Sequence, residues 1–531
     1  MAQLVSRAHS VWSGSLDLPL LKLSPTDRFT VRDACENVFI EGGIGSGKTS
    51  GSGAALRRAY LRAGFGGLVL AAKPDEVELW RAEARACGRE RSVIVFNEHH
   101  AFNFIANELA RQGLEGIGSV IELLMRVLEA IRLAMPNAGH VGEAFFENAI
   151  RQLLRMTVPV LYAAHGYVRI EDILRFITSA AISAAQFDDE AWRQDSFMFA
   201  TMVRARREPA VPLALDAFNR IASYWAYEFS RLDAKTRGNI SISLSTALDR
   251  FMHGRLNRVF CQGTTVVPEL TFHGAVIILD MSSSVWNEDG IIAQLVLKLA
   301  FQRAVLGRNS LAPKHRELPV FLWADEAQYF VTTFDPEFQS MSRSSRCSTV
   351  YLTQSLPTIY AKIGGENAKH RADMLLANFG TKIFHNNSCP ETNRWAAETI
   401  GRSLQRRGSY NEGENSGTSY GMSMGEGSNF GTSSSFSSST DGQGQSSSSS
   451  SSGTTSGYSE NIGRNRGRNY GQSVTSGYSE TMDWEIEPAE FSRSLKAGGP
   501  ANGGVVSAIW FQAGRRFNAT QRPWLPVSFR Q

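Results

Sequence analysis

An α/β protein, whose mainly parallel sheet is interrupted once by an all-helical stretch, is the fold class that this sequence predicts. Three observations predict it. Short apolar runs alternate with helical segments before residue 100 and again after residue 274, the strand signal vanishes between about 110 and 235, and the first apolar run leads into Gly42-Gly43-Ile44-Gly45-Ser46-Gly47-Lys48-Thr49. Strands separated by helices pair in parallel, because each crossover returns along a face of the sheet.

Residues 1–37 hold Pro19 and Pro25 and little periodicity, and are read as a lead-in to the first strand, Val38 to Ile40. A helix is expected over 49–64, a strand from Gly67 to Lys73, a helix over 75–88 and a strand from Ser92 to Asn97. Helical spacing then takes over, through Ile117, Val120, Ile121, Leu124, Leu128 and Ile131, and through Phe146, Ala149, Ile150, Leu153 and Leu154. A helix over 240–252 leads back to the sheet. The continuous apolar run Ala275 to Leu279 fits a strand buried on both faces. After it come a helix over 290–306 and strands at Leu318 to Ala324, Thr349 to Thr353 and Thr381 to His385. Ser and Gly dominate 408–478, with Tyr420, Phe430, Phe436, Tyr458, Tyr470 and Tyr478 interspersed, and this composition predicts a disordered loop. Val505 to Gln512 and Trp524 to Phe529 read as two last strands at the edge of the same sheet. The boundaries that follow are 1–109 and 236–407 for two parts of one nucleotide-binding domain, 110–235 for an all-α insertion, 408–478 for the loop, and 479–531 for strands completing the domain.

The 531 residues are 42% apolar, enough for ordinary globular cores. Lys and Arg total 55 against 51 Asp and Glu, a net charge of +4, so any nucleic-acid surface must be local. Five scattered cysteines without a C-x-x-C pair read as reduced thiols, not a disulfide framework or a zinc site. No window approaches the roughly 18 uninterrupted apolar residues of a membrane span. His99-His100 reads as a loop, since adjacent side chains do not share a face.

The run from Gly42 to Thr49 matches G-x-x-x-x-G-K-[ST], a loop whose backbone N–H groups wrap phosphates. Its glycines let bare backbone approach the anion in dihedrals that a Cβ forbids. Gly42, Gly43, Gly45, Ser46, Gly47, Lys48, Thr49 and Ser50 are the expected contacts with ATP or GTP. Lys48 reaches the β- and γ-phosphates and the Thr49 hydroxyl ligates Mg²⁺. The helix that follows turns its positive pole to the phosphates. Asp325-Glu326 end the apolar strand Pro319 to Ala324, a strand expected beside the phosphate-loop strand. Asp325 is the candidate Mg²⁺ ligand and Glu326 the group that polarises the attacking water. Acids also suit the start of a helix, and the phosphate loop in the same chain favours the catalytic role. Gln354 closes the next strand, either contacting the γ-phosphate and the water or simply capping a strand. Arg343 and Arg346 lie between these two strands in a stretch with no acid, as candidate arginine fingers or as solvated surface residues. Arg464, Arg466 and Arg468 with Tyr470 have the make-up of a single-strand contact or a plain linker.

The ordered set of phosphate loop, helical insertion, Leu322 to Gln328 and Arg343 to Ser355 resembles the TraD/TraG-type conjugative coupling proteins of type IV secretion, in the HerA/FtsK class. Phe102-Asn103-Phe104-Ile105, Leu376 to Ile383 and Phe517 to Gln531 add to the likeness. The resemblance implies a RecA-like P-loop NTPase core and a homo-hexameric ring. ATP would lie at the subunit boundaries and DNA at the centre. Lys48, Thr49, Asp325, Glu326 and Gln354 would serve one site, and Arg343 or Arg346 a neighbour's. It also implies a relaxosome-like DNA–protein complex and a separate membrane protein as partners. Family members usually begin with membrane-spanning helices, which are not read here, so the expectation is a cytoplasmic chain that either docks on a separate membrane partner at the inner membrane or pumps DNA within the cytoplasm. A nucleotide-regulated receptor for a DNA–protein cargo, and an ATPase paired with a nuclease, are the alternatives.

Overall fold

The computed structural model describes residues 12, 14–134, 143–363, 367–419, 429–440, 446–457 and 467–531. Met1–Cys389 with Ser494–Gln531 form one compact unit, and Pro390–Arg493 form a second. The strands, in chain order, are β1 (Pro19–Lys22), β2 (Arg28–Thr30), β3 (Val38–Glu41), β4 (Gly66–Leu70), β5 (Val93–Phe96), β6 (Val276–Leu279), β7 (Val320–Ala324), β8 (Cys347–Thr353), β9 (Thr381–His385), β10 (Arg402–Ser419), β11 (Asn429–Thr440), β12 (Ser446–Gly457), β13 (Gly467–Trp484), β14 (Val505–Gln512) and β15 (Trp524–Arg530).

Nine of them build one sheet in the order β15-β14-β9-β3-β8-β7-β4-β6-β5. From β9 to β5 every pairing is parallel, and β14 and β15 add antiparallel at the β9 edge. β3, β4, β6, β7, β8 and β9 are buried along their whole length, as helices on both faces require. The protein is thus a mainly parallel α/β fold with a RecA-like core. One expectation is corrected by the strand order. The acidic strand β7 does not lie beside the phosphate-loop strand β3, because β8 pairs with both and separates them.

The lead-in also has more structure than its composition predicts. β1 and β2 form a short antiparallel hairpin, followed by a helix at Val31–Ala34 with a capping box between Thr30 and Asp33. Leu16, Leu18, Leu20 and Leu21 pack on the sheet's core, so their apolar character serves a tertiary contact and shows no regular period.

Between β5 and β6 the described elements are all helical, running from Phe104–Gln112 to the 3₁₀ helix Pro268–His273, a longer stretch than 110–235. Val120, Leu124, Leu153, Leu154, Phe176 and Trp225 fill its interior. Helix Glu288–Gly307 crosses the core, with Lys298 and Gln302 fully buried. By length and composition, Glu288–Ser310 is the one described helix able to cross a membrane, and it is mostly buried inside the fold.

The second unit holds helix Pro390–Ile400 and a four-stranded antiparallel sheet, β10-β13-β12-β11. Its strands carry the described parts of the Ser/Gly-rich stretch, where a disordered loop was expected. The composition argument weighs apolar burial alone. An antiparallel ladder satisfies backbone N–H and C=O groups without a core, and the sequence from 401 to 484 has no proline to remove a donor. Tyr420, Tyr458, Arg464 and Arg466 lie outside the described residues.

Candidate functional site

Parallel strands bring their carboxyl ends to one edge of a sheet, and the crevice outside that edge is where ligands bind in open α/β folds. Here the edge carries Gly42 after β3, Lys73 after β4, Asp325-Glu326 after β7, Gln354 after β8 and Asn386-Asn387 after β9. With β8 between β3 and β7, Gln354 stands between the loop and the acids.

The phosphate loop takes the shape its glycines allow. Gly45 has φ of 72° and Gly47 of 87°, and a Cβ on Gly47 would fall 2.5 Å from the Val506 side chain behind it. The following helix opens with a wide π-turn, Lys48–Gly53, before the α-helix Ala54–Ala63; the sequence predicts a plain helix from 49. The Gly42 amide donates to Thr353 O at 3.2 Å, that of Gly43 to Asn386 O at 2.9 Å, and that of Ser46 to Gly43 O at 3.2 Å. These three expected phosphate donors instead hold the loop's shape. That leaves Gly45, Gly47, Lys48 and Thr49 to face an anion. Ser50 is exposed, and its hydroxyl accepts from Gln531 Nε2 at 2.6 Å, so it braces the outside of the loop.

Lys48, Thr49 and the two acids lie together at this edge. The Thr49 hydroxyl donates to Asp325 Oδ2 at 2.6 Å, and Lys48 Nζ lies 3.9 Å from Glu326 Oε1. Glu326 sits in the left-handed region, φ 54°, with its own amide donating to Asp325 Oδ1 at 3.0 Å. Strain of this kind in a non-glycine residue marks a side chain that its surroundings hold in place. Gln354 Nε2 donates to Glu326 Oε1 at 2.9 Å, and Gln328 Nε2 donates to Oε2 at the same distance. Burial pushes the Glu326 carboxyl up, but these hydrogen bonds and the charges of Lys48 and Lys73 outweigh it, so it is held below the ordinary carboxylate range. A nearly buried carboxylate is thus kept ionised and aimed, as activation of a water requires.

Arg343 and Arg346 are not brought to this edge of their own chain. They precede β8 at its opposite end, and both have distant partners that the sequence did not reveal. Arg343 pairs with Glu36 at 2.8 Å, and Arg346 donates to Glu317 O at 2.7 Å with its guanidinium 5.9 Å from the Trp12 ring. Lys73, Gln328, Glu41, Glu76 and Asn387 were missed. Each follows or ends a strand or carboxylate motif, and reading every strand end as part of the crevice would have found Lys73, Glu41 and Asn387. Lys73 Nζ lies 3.5 Å from Glu326 Oε1. His99 lies in a turn, as expected for a loop.

The residues fit a magnesium nucleotide. The Ser46 hydroxyl is buried and has no hydrogen-bond partner among the described residues, and a phosphate oxygen at the loop would supply one. No group of three or more His, Cys, Asp or Glu side chains forms a cage among the described residues. Mg²⁺ needs none, since one or two side-chain oxygens, which Thr49 and Asp325 would provide, suffice beside phosphate and water oxygens. When bound, the ion supplies charge neutralisation at the phosphates.

No family model matches the sequence, and no curated protein matches it. Solved structures do. The plasmid coupling protein TrwB in complex with the non-hydrolysable GTP analogue GDPNP is similar over 98% of this chain and 92% of that one, with 12% identity and a TM-score of 0.51. TrwB in complex with the ATP analogue ADPNP is similar over the same shares, with 13% identity and a TM-score of 0.50. The trigonal form of TrwBdeltaN70 in complex with sulphate matches with 13% identity and a TM-score of 0.51 over 98% and 92%. With its nine-stranded sheet, its long helical insertion and its phosphate loop at the sheet's carboxyl edge, the chain has the fold of the bacterial conjugative coupling protein TrwB.

Proposed function

We propose that this chain is a Mg²⁺-dependent ATPase that translocates or delivers DNA in the manner of a type IV secretion coupling protein. One observation carries the hydrolytic part: Thr49, Asp325, Glu326 and Gln354 come from three strand ends and are joined by direct hydrogen bonds beside Lys48. A binding-only loop has no use for a carboxylate held ionised by two amides and two lysines. In this reading Lys48 grips the β- and γ-phosphates, Thr49 and Asp325 hold Mg²⁺, Glu326 orients and polarises the water, and Gln354 positions Glu326. Arg343 or Arg346 serves a neighbouring subunit's site in a homo-hexamer. The DNA and ring parts rest on the fold shared with TrwB, whose structures hold both GTP and ATP analogues.

The test is Glu326→Gln. It is expected to bind ATP with wild-type affinity and to lose turnover by about 10²- to 10⁴-fold, the range for removal of a general base. Wild-type turnover in this variant would overturn the assignment. The same assay run with GTP settles nucleotide preference.

A further inference from the structure

Asn387 follows β9 on the far side of the phosphate-loop strand from the acids, yet its side chain reaches Glu41 at the end of that strand and the Gln354 backbone beyond it. Its Nδ2 donates to Glu41 Oε2 at 2.6 Å and to Gln354 O at 2.9 Å, while its Oδ1 accepts from the Cys389 amide at 2.9 Å. The third bond fixes which end of the amide is which, so the donor can only face Glu41 and Gln354. Asn387 is 2% exposed and Glu41 is fully buried. Glu41 is the last residue of β3 and directly precedes the phosphate loop. Its neighbour along the loop, Gly43, is tied to Asn386 O, so β9's end holds the loop by backbone and by side chain. From Glu41 the contacts run through Asn387 to the Gln354 backbone, and the Gln354 side chain ends on Glu326.

A buried carboxyl is a costly anchor where a neutral amide or an apolar group would pack equally well. Glu41 has one oxygen on Asn387 and the other, Oε1, without a hydrogen-bond partner among the described residues. Burial, opposed by the Asn387 bond and the Lys48 charge, pushes it up to about 8, which fits a neutral acid serving as an acceptor. For packing alone, Asn387 would need no acceptor from β3; its two donor bonds join the two elements that nucleotide must bring together.

We propose that Asn387, anchored on Glu41, is a positioning residue that holds Gln354 against Glu326, so that the phosphate loop and the water-activating acid keep one geometry. The inference rests on the ATPase reading above. Asn387, almost fully buried, acts through its bond to the Gln354 backbone. Its loss therefore leaves nucleotide binding intact and lowers the chemical step.

The test measures ATP turnover and the affinity for a fluorescent non-hydrolysable ATP analogue in the full chain, with thermal melting as a check on folding. Asn387→Ala is expected to reduce kcat by about ten- to a hundredfold, the usual cost of removing a supporting partner, with analogue affinity changed by no more than about twofold. Gln354→Ala should show the same loss, and the double variant no further one, because both act through a single contact. Glu41→Leu removes the anchor from the other side and covers the case of an unstable Asn387→Ala. It should lose the same turnover, and Glu41→Gln, which keeps a carbonyl acceptor, should retain most of it. A wild-type chain that binds but does not hydrolyse ATP overturns the ATPase reading itself. With an active wild type, unchanged turnover in Asn387→Ala and Glu41→Leu overturns the inference, as does a loss that multiplies with that of Gln354→Ala or falls on affinity alone.

Discussion

Glu76 shows at the scale of one residue how crowding of acids near the nucleotide edge sets the protein's response to pH. Its Oε1 accepts from the Lys73 amide at 3.1 Å, and Oε2 has no hydrogen-bond partner among the described residues. Burial, and then the charge of Asp325, push its carboxyl up to about 9 from 4.5. The folded state therefore keeps a proton that the unfolded chain releases. Its stabilising contribution is complete below the ordinary carboxylate value and is lost as pH rises through about 9. Wild-type protein without nucleotide should accordingly lose melting temperature between pH 7 and pH 9, and Glu76→Gln, which cannot ionise, should flatten that loss. An unchanged slope in thermal melts would refute the assignment. Glu326 shifts the opposite way because the hydrogen bonds from Gln328 and Gln354 and the charges of Lys48 and Lys73 outweigh its burial.

At the scale of elements, the segment that carries the acids is held by a buried ion pair. Asp335 takes Lys298 Nζ at 2.5 Å, Gln302 Nε2 at 2.7 Å, the Tyr351 hydroxyl at 3.0 Å and the Thr332 amide at 2.6 Å. These partners come from helix Glu288–Gly307, from β8 and from the loop after Glu326. The pair thus pins β7's exit to the strand that supplies Gln354. Burial pulls the Lys298 ammonium down while Asp335 holds it up, the ordinary balance of a dry ion pair. Lys298→Met leaves Asp335 as an uncompensated buried charge and should cost about 3–5 kcal/mol in denaturant unfolding. Adding Asp335→Leu should recover part of that loss, because a matched apolar pair is often no worse than a buried ion pair. A loss under 1 kcal/mol in Lys298→Met would show that the network relaxes.

For the molecule as a whole, the last two strands decide how the nucleotide edge is backed. β14 pairs with β9, Val506 lies behind Gly47 and Gly51, and Gln531 reaches Ser50, so β14 and the residue after β15 close on the phosphate loop. Under the proposed function, single- or double-stranded DNA should raise steady-state ATP turnover several-fold on particles that sediment as hexamers in ATP. Turnover that ignores both forms of DNA would leave a nucleotide-regulated receptor as the better reading. Much of the site was legible in the sequence because it is written in contiguous residues. The glycine pattern of 42–47, the apolar run ending in Asp325-Glu326 and the Gln354 strand end each carry their chemistry locally, as does the alternation of strand and helix. Strand order, the partners of Arg343 and Arg346, and the places of Lys73, Glu41 and Asn387 were not, since each depends on residues far apart in the chain meeting through one shared sheet. The pairing of the Ser/Gly-rich strands escaped for another reason: it lies in backbone hydrogen bonds, which composition does not record. From its sequence alone, then, the protein declares a phosphate loop, two acids and an α/β core with a helical insertion. Only the tertiary structure sets β8 between loop and acids, because the choice of neighbouring strands is made by packing the whole sheet and by no single segment.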